Sequence, residues 1–551
     1  MKALTMNHLT GRFLPLGVGS FEGLLQGGFA YVDKTEMVCR LASTRRGRFF
    51  LARPRRFGKS LLVSTFESLF RHGLRDFRGL AIEKLWSDKT YDVVRLDFSE
   101  ARRFASAEQF QKRLTGLLTR EFGSLGFAYQ ENSSRSVCEQ LSEWLRSRPA
   151  DSLVILIDEY EAPLTACLDR PELFNQAGVL MSEFYAALKN SGDSLRFLFV
   201  TGIVRFSKTG IFADAVNSIV DITLKPQYGT LLGFTQEEIG KCLADCIDQA
   251  AQALGVTASQ TLDLIGSRYG GYCFDELSST RVSSPWAVLY FLKNPRSTVW
   301  KYWIRSGGSI SDLFKKHVRS PSLTDPEQYG SWLSVDRHAL SLPPDAQALD
   351  DVVLLMQAGY LTIKEIRNNT IFLGYPNCEV AEAMARYYTQ LLLKGKNPAA
   401  GGIKDLREHL ASCDVQAFAG DLSRAFLAID SCGHPVTDKA GCRALVSVFL
   451  NCAGIPARSE SHNTLGRTGI EFAFGGVNWL LEVNFAKTGE NAKALLAKVM
   501  NEMRDRRAGE QDKKGRLMRL GLVFSEDERR FVECDAESIE TDVEGRVCKT
   551  H

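Results

Sequence analysis

The sequence predicts an α/β fold with a mostly parallel sheet, followed by a helical region and a second α/β region. Three observations support this fold class. Short strand-like runs alternate with helical stretches over residues 1–235, two of those runs are apolar throughout, and the last part of the chain shows the order α-β-β-α-β. With 551 residues, 44% hydrophobic and 24% charged, the composition is that of a folded protein of about three domains.

The first predicted domain comprises residues 1–235. Its predicted strands are rich in β-branched, aromatic and other apolar residues and are residues 48–52, 93–98, 153–157, 197–201 and 221–224. The third and fourth of these runs are almost entirely apolar, which is typical of central parallel strands covered on both faces. Helical patterns separate the strands.

The second predicted domain comprises residues 236–395 and is mainly helical. Near its end, two strand patterns at residues 361–366 and 370–374 flank a short polar turn, which predicts a β-hairpin. A helix followed by a hairpin suggests a winged-helix-like module.

The third predicted domain comprises residues 396–551 and follows a segment that has the composition of a linker. Its predicted elements after the first helices are two strands, a helix and a strand, at residues 469–474, 477–485, 490–506 and 517–524. This order gives the domain its α-β-β-α-β pattern.

Charge and hydropathy exclude several classes of protein. Lys and Arg number 68 against 65 Asp and Glu, so the net charge of +3 gives no global attraction to nucleic acid or membrane. The apolar runs are far shorter than the roughly 18 residues of a membrane span, and no apolar signal segment opens the sequence. We therefore expect a cytoplasmic protein without a membrane partner, with its 13 cysteines reduced.

A phosphate-binding loop is predicted between the first strand and the helix after it. Gly58, Lys59 and Ser60 supply a turn, a cation for the outer phosphates and a hydroxyl for Mg²⁺, while the backbone N–H groups that open the helix face the phosphates. The first glycine of the GxxxxGK[ST] (Walker A) pattern is replaced by arginine. The predicted nucleotide-binding residues are Arg53, Pro54, Arg55, Arg56, Phe57, Gly58, Lys59, Ser60 and Leu61.

The third strand ends in two carboxylates and resembles a Walker B strand. Asp158 is predicted to hold Mg²⁺, and Glu159 to orient and deprotonate the attacking water. An isolated acidic pair is also an ordinary way to end a strand. Its position after a GKS helix favours the P-loop interpretation, with ATP and Mg²⁺ as the cofactors.

The fourth strand supplies two further candidates for catalysis. Thr201 is predicted to sense the γ-phosphate, and Arg205 to place positive charge on the transition state. For Arg205 the alternative is a surface ion pair.

Seven runs distributed along the chain carry a family resemblance. They are residues 31–35 (YVDKT), 53–60 (RPRRFGKS), 156–160 (LIDEY), 201–208 (TGIVRFSK), 232–235 (LGFT), 354–363 and 374–377 (GYPN). They resemble the bacterial AAA-ATPase-like family with a PD-(D/E)xK nuclease-like C-terminal domain. In that family the loop itself reads RPRRFGK, so Arg53 is the family's form.

The resemblance implies further properties. It implies a P-loop NTPase (AAA-like) first domain, a restriction-endonuclease-like third domain, and a position near the nucleotide base for Asp33, Lys34 and Thr35. The sequence departs from the family at residues 158–161, where DEYD becomes DEYE, and at residues 269–274, where YDGYRF becomes YGGYCF. The second change removes an acid and an arginine.

The nuclease-like site departs further. A PD-(D/E)xK site needs two carboxylates for a metal ion and a Lys on the second strand, but Gly469 replaces the family's Asp and Asn484 its Lys. Glu482 is retained, Glu460 stands at the position of the helix acid, and Glu471 and Lys487 are candidates to replace the lost groups. The alternative is a degenerate domain that binds nucleic acid or protein without cutting, with Glu482 as an ordinary polar residue.

Three functions follow from these patterns. The leading hypothesis is a cytoplasmic ATPase or ATP-binding switch whose nucleotide state controls the C-terminal domain. The alternatives are an ATP-regulated metal-dependent nuclease with migrated catalytic residues and a nucleotide-sensing module without turnover. The expected partners beyond ATP are a nucleic acid, DNA rather than RNA, or a protein effector, and a homo-oligomer is left open.

Overall fold

The computed structural model describes residues 13–205, 219–296, 329–330, 332–337, 340, 351–394, 403, 405–429, 434–459, 469–505, 515–541 and 547–548. The chain divides into two compact units, residues 1–317 with 333–377 and residues 318–332 with 378–551. The division into three domains at residues 1–235, 236–395 and 396–551 stays a prediction.

The first unit is built on a parallel sheet, which confirms the predicted α/β fold. Its strands are β1 (Gly47–Ala52), β2 (Asp92–Asp97), β3 (Leu153–Asp158), β4 (Leu195–Gly202) and β5 (Val220–Asp221). They lie in the order β2-β3-β4-β1-β5, with every pair parallel. The two central strands β3 and β4 are buried along their whole length, as their apolar sequences predict. Because β4 lies between β1 and β3, the loops that follow these three strands meet at one edge of the sheet.

Helices cover both faces of this sheet. The helices of the first unit are α1 (Phe21–Gln26), α2 (Thr35–Ala42), α3 (Lys59–His72), α4 (Ala107–Gly123), α5 (Val137–Ser147), α6 (Ala162–Thr165), α7 (Pro171–Lys189), α8 (Gln236–Cys242), α9 (Ala244–Leu254), α10 (Ala258–Tyr269), α11 (Pro285–Lys293) and α12 (Asp351–Ala358). Single turns of 3-10 helix lie at Gly73–Asp76, Ala81–Lys84, Phe98–Ala101 and Pro226–Tyr228.

The side chains of β3 and β4 alternate between two apolar layers. Leu156 and Phe199 pack with Phe66 of α3 on one face of the sheet. Ile157 and Val200 pack with residues of α4, α5 and α7 on the other. The α3 helix is therefore fixed against the sheet directly behind the predicted phosphate loop.

A smaller antiparallel sheet completes the first unit. Its strands β6 (Leu333–Asp336), β7 (Thr362–Arg367) and β8 (Thr370–Gly374) lie in the order β6-β8-β7. The predicted hairpin is present as β7 and β8, and Asn368 in its turn has a φ of 55°, which Asn tolerates better than most residues. The winged-helix interpretation of this region stays a prediction.

The second unit contains a mixed sheet in the order β14-β13-β12-β11-β10-β9. Its strands are β9 (Arg458–Ser459), β10 (Ile470–Phe474), β11 (Val477–Ala486), β12 (Gly515–Ser525), β13 (Arg530–Thr541) and β14 (Val547–Cys548). Its helices are α13 (Cys378–Leu392), α14 (Leu406–Ala411), α15 (Val415–Leu427), α16 (Lys439–Cys452) and α17 (Ala492–Asp505). The predicted order of helix, two strands, helix and strand is present as α16, β10, β11, α17 and β12. In the described parts of both units, no helix is at once long and apolar enough to cross a bilayer.

Candidate functional site

The loop between β1 and α3 presents the amino end of a helix to one edge of the parallel sheet. Gly58 precedes the helix with a φ of 97°, a left-handed conformation that favours glycine, and no side chain caps the helix. The first N–H groups of an uncapped helix keep their hydrogen-bonding capacity, so they can bind an anion.

Lys59 opens the helix and is held by the loop itself. Its ammonium donates hydrogen bonds to the carbonyl oxygens of Arg53 and Pro54, each at 3.0 Å, and the side chain is buried. Burial lowers the pKa of this lysine, and three carboxylates at the end of β3 act in the opposite direction. The arrangement places a cation against acidic groups next to the helix terminus.

The structure brings together the two predicted Mg²⁺ ligands. Asp158, the last residue of β3, is buried, which raises its pKa, while a hydrogen bond from Ser60 and the charge of Lys59 lower it. Across the described ranges, no cluster of three or more His, Cys, Asp or Glu side chains could hold a metal ion. Mg²⁺ usually takes one or two protein oxygens and completes its shell with phosphate and water, so Ser60 and Asp158 fit that role.

Glu159 adopts a conformation that is unusual for its type. Its φ is 47°, in the left-handed region, and its N–H donates to Asp158 Oδ1 at 3.0 Å. Partial burial raises its pKa, and the charges of Asp158 and Asp97 raise it further. Such strain is concentrated at functional sites, and a raised pKa suits a general base.

Gly58, Lys59, Ser60 and Glu159 line a cavity of about 540 Å³, within the size range of small-molecule sites. Its charged lining also includes Arg55, Arg56 and Arg102. Its apolar lining includes Val18, Leu24, Ala30, Val32, Val38, Leu232 and Trp286. A lining with both cationic and apolar groups matches the two parts of a nucleotide, its phosphates and its base.

The side chain of Arg53 is directed elsewhere. Its guanidinium donates to the carbonyl oxygens of Ala52, Thr223 and Tyr228 at 2.9, 2.6 and 3.1 Å. Only its backbone carbonyl contributes to the loop, as an acceptor for Lys59. Neither Arg53 nor Pro54 is among the residues that line the cavity.

The residues that follow in the loop differ in their exposure to solvent. Arg55 and Arg56 are exposed, and the Arg56 guanidinium lies 5.2 Å from the centre of the Trp286 ring. Phe57 is buried edge-on against Tyr272 and Phe274, with ring centres 4.9 and 5.2 Å away. Leu61 lines the cavity from the first turn of α3.

Of the three residues implied to lie near the base, Lys34 lines the cavity. Its ammonium pairs with Glu238, and burial lowers its pKa. Asp33 accepts hydrogen bonds from the N–H groups of Thr35 and Ala81 at 2.8 and 2.7 Å, so it ties α2 to the 3-10 turn at Ala81–Lys84. A contact of Asp33 or Thr35 with a base stays a prediction.

Thr201 and Arg205 are both placed outside the cavity lining. The Thr201 hydroxyl is buried and donates to the Leu51 carbonyl at 2.7 Å, which links β4 to β1. Arg205 forms an ion pair with Asp221 at 2.8 Å. In this arrangement, neither residue lines the cavity with Lys59 and Glu159, where the phosphates are expected.

Glu161 is a buried carboxylate at the last position of DEYE, where the family has DEYD. Its Oε1 accepts a hydrogen bond from the Ile203 N–H at 2.8 Å, and burial raises its pKa to about 7. A Cβ on Gly202 would lie 1.9 Å from Glu161 Oε2, so the carboxyl group packs directly on this glycine. The pair joins the turn after β3 to the end of β4.

In the second unit, the strand register places Gly469 beside Glu482, because the adjacent Ile470 pairs with Leu481. A Cβ on Gly469 would meet Leu480 Cδ1 at 2.7 Å, and the Lys439 ammonium lies 3.8 Å from Glu482 Oε2. An apolar side chain thus lies where the family's aspartate would stand, and a lysine lies beside the retained carboxylate.

The remaining candidates for the nuclease-like site differ in position. Glu471 pairs with Leu480 across the strands, so it lies on the same face of the sheet as Glu482. Lys487 is exposed in the turn after β11, where its backbone N–H donates to Glu490 at 2.9 Å. Glu460 lies outside the described residues.

Comparison with known proteins gives two matches. Residues 15–212 match the model of the AAA-ATPase-like family, which is described as "Predicted AAA-ATPase". The "Uncharacterized protein in vnfD 5'region" of Azotobacter chroococcum mcd 1 is 26% identical over 550 residues, covering 96% of this chain and 99% of that relative. The family match spans β1 to β4 with the loop and both carboxylates, and it favours nucleotide binding by the first unit. The nuclease-like interpretation of the second unit stays a prediction.

Proposed function

We propose that the first unit binds ATP with Mg²⁺ and hydrolyses it. The observation that carries this proposal is that the uncapped amino end of α3, with Lys59 and Ser60, meets Glu159 in one cavity, while Asp158 accepts a hydrogen bond from Ser60 beside it. A triphosphate needs N–H donors and a cation, and its hydrolysis needs a positioned water. The matched family supports the same function.

Each side chain has a distinct part in this proposal. Lys59 exchanges its two carbonyl partners for the outer phosphates, and the N–H groups that open α3 bind the phosphate oxygens. The Ser60 hydroxyl and the Asp158 carboxylate would hold Mg²⁺, which when bound neutralises charge on the phosphates. Glu159 accepts the proton of the attacking water, which its raised pKa favours.

Two substitutions test this assignment. Glu159→Gln keeps the shape of the side chain but removes the base, so we expect kcat to fall by about a hundredfold while ATP affinity is retained. Lys59→Ala removes the cation, so we expect at least about a tenfold loss of affinity for a fluorescent ATP analogue. The exposed Glu131→Gln variant is the control for the loss of a carboxylate. Unchanged affinity in Lys59→Ala would contradict the site assignment.

We further propose that the second unit binds a nucleic acid or protein without cutting, and that the nucleotide state of the first unit controls this binding. Leu480 occupies the space next to Gly469, where the family's carboxylate would stand, and Lys439 lies beside Glu482. The test is incubation with single- and double-stranded DNA and RNA in Mg²⁺ or Mn²⁺, for which we expect no cleavage. Cleavage that is lost in Glu482→Ala would instead establish the metal-dependent nuclease. Stimulation of ATP hydrolysis by DNA would identify a nucleic-acid effector.

A further inference from the structure

We infer that Arg102 contacts the terminal phosphate of the bound nucleotide and distinguishes ATP from ADP. This inference rests on the proposed function, because it concerns the same cavity. It assigns to Arg102, which belongs to no motif of the sequence, the positive charge on the transition state that the sequence pattern predicts for Arg205, and with it the sensing of the γ-phosphate predicted for Thr201.

The position of Arg102 follows from the sheet. In the register of β2 and β3, Asp97 lies opposite Asp158, so the two strands end side by side. The 3-10 turn Phe98–Ala101 follows β2 directly, and Asp97 Oδ1 accepts a hydrogen bond from the Ser99 N–H at 2.9 Å. Arg102 therefore comes immediately after a turn that is anchored beside the carboxylates of the site.

The backbone at Arg102 is held while its side chain is exposed. Phe98 and Ala101 are buried in the apolar layer on that face of the sheet, and the Arg102 N–H donates to the Ser99 carbonyl at 3.4 Å. The side chain lines the cavity together with Lys59 and Glu159. A fixed backbone with an exposed side chain suits a group that must reach a ligand.

Arg102 differs from the other arginines of this region in its partners. Arg53 is committed to three carbonyl oxygens and Arg205 to Asp221. Within the described residues, Arg102 has neither an ion pair nor a side-chain hydrogen bond. A guanidinium that lines an anion cavity without a carboxylate partner can offer its paired N–H donors to phosphate oxygens.

Chemistry indicates which phosphate it would contact. The N–H groups of the α3 terminus and Lys59 lie on the side of the loop, whereas Arg102 comes from the strand end next to Asp158, where Glu159 would hold the attacking water. The γ-phosphate is the group that this water attacks, and positive charge there stabilises the transition state. ADP lacks this group, so the contribution of Arg102 should be specific to the triphosphate.

The test compares Arg102→Ala and Arg102→Lys with Arg103→Ala. Arg103 is the adjacent arginine, is also exposed, and is not among the residues that line the cavity, so its variant is a matched control for the loss of charge. Calorimetry in Mg²⁺ gives the affinities for ADP and for the slowly hydrolysed analogue ATPγS, and steady-state assays give kcat and KM.

For Arg102→Ala we expect ATPγS affinity and kcat to fall about tenfold or more, with ADP affinity within about twofold of wild type. Arg102→Lys should recover part of the loss, and Arg103→Ala should match wild type. Equal effects of the two alanine variants, or equal losses of ATPγS and ADP affinity in Arg102→Ala, would overturn this inference alone. If the wild-type protein bound neither nucleotide, the proposed function and this inference would both be overturned.

Discussion

The guanidinium carbon of Arg53 lies 4.4 Å from the centre of the Phe274 ring. The same guanidinium donates hydrogen bonds to Thr223 and Tyr228, and burial lowers its pKa to about 9. The residue that replaces the first glycine of the phosphate-loop pattern therefore fastens the loop to residues 223–228 and to Phe274. This explains how an arginine is accommodated at that position without obstructing the cavity.

Arg53→Gly should weaken the protein although it restores the general GxxxxGKS pattern. The substitution removes the buried hydrogen bonds and the ring contact, and it leaves carbonyl oxygens without a donor. We therefore expect the free energy of unfolding to fall by about 3 kcal/mol or more. Arg55→Gly, at an exposed position, is the control and should change stability by less than about 1 kcal/mol. Urea denaturation measures both. Equal stability of the two variants would show that the Arg53 contacts do not hold the loop.

Gly202→Ala should destabilise the end of β4. The new methyl group would lie 1.9 Å from Glu161 Oε2 and 2.7 Å from Tyr160 Cδ1. Both side chains are anchored, because Glu161 accepts from Ile203 N–H and the Tyr160 hydroxyl donates to Val204. Overpacking of this kind costs about 1–3 kcal/mol.

The control for this substitution is Gly116→Ala in α4. No atom lies within 4 Å of the added methyl group there, so the helix should be unchanged or slightly more stable. Thermal unfolding compares the two variants. A melting temperature for Gly202→Ala equal to that of wild type would contradict the close packing of Glu161 on this glycine.

Glu161→Gln should remove a specific pH dependence of stability. Burial raises the pKa of Glu161 from 4.5 to about 7, so the folded protein retains a proton that the unfolded chain releases between these values. The stability due to this group is therefore present below pH 4.5 and is lost as the pH rises to about 7. Glutamine stays neutral at every pH. As the pH rises from 4.5 to about 7, the unfolding free energy of the variant should therefore increase by about 3 kcal/mol relative to that of wild type.

Urea denaturation of both proteins at a series of pH values measures this difference. The comparison isolates Glu161, because the other titrating groups are common to the two proteins. A constant difference in unfolding free energy from pH 4.5 to above 7 would show that Glu161 titrates normally in the folded state.

Gly469→Asp should not create a nuclease. It restores the acidic residue of the family pattern, but its Cβ would meet Leu480 Cδ1 at 2.7 Å, and Lys439 already lies beside Glu482. We expect a loss of stability of about 1–3 kcal/mol and no cleavage of DNA or RNA in Mg²⁺ or Mn²⁺. Gly420→Ala, which has open space around it, is the control for stability. Metal-dependent cutting by Gly469→Asp would show that only one carboxylate separates this site from activity.

The sequence predicts the sheet and the loop well because both depend on local patterns. Apolar runs are sufficient to locate β3 and β4, and the glycine, lysine and hydroxyl before α3 must be adjacent in sequence to meet a phosphate chain. The direction in which a side chain points is harder to predict than the position of its residue in the fold. Thr201 lies near the end of the correct strand and Arg205 follows that strand, but the hydroxyl turns toward Leu51 and the guanidinium toward Asp221, and neither partner is a neighbour in sequence.

Arg102 could not be identified from the sequence for a related reason. Nothing in residues 98–103 forms a motif, and the position of Arg102 depends on the pairing of Asp97 with Asp158 across two strands. The sequence does not predict the long strand β13, because it mixes exposed charged residues with few apolar ones. Such a strand is specified more by its pairing with β12 than by its own pattern.

Arg53 connects Lys59 to residues 223–228. Its carbonyl oxygen accepts a hydrogen bond from the lysine, and its guanidinium donates to that segment. In the proposed function, a phosphate draws the Lys59 ammonium away, so the carbonyl of Arg53 needs another donor. The peptide group that carries this carbonyl is bonded to the same α-carbon as the anchored side chain. Phosphate binding and the position of residues 223–228 are therefore coupled, and each changes the free energy of the other by the same amount. A substitution at Thr223 or Tyr228 that shifts this backbone should thus change how tightly the distant phosphate is held.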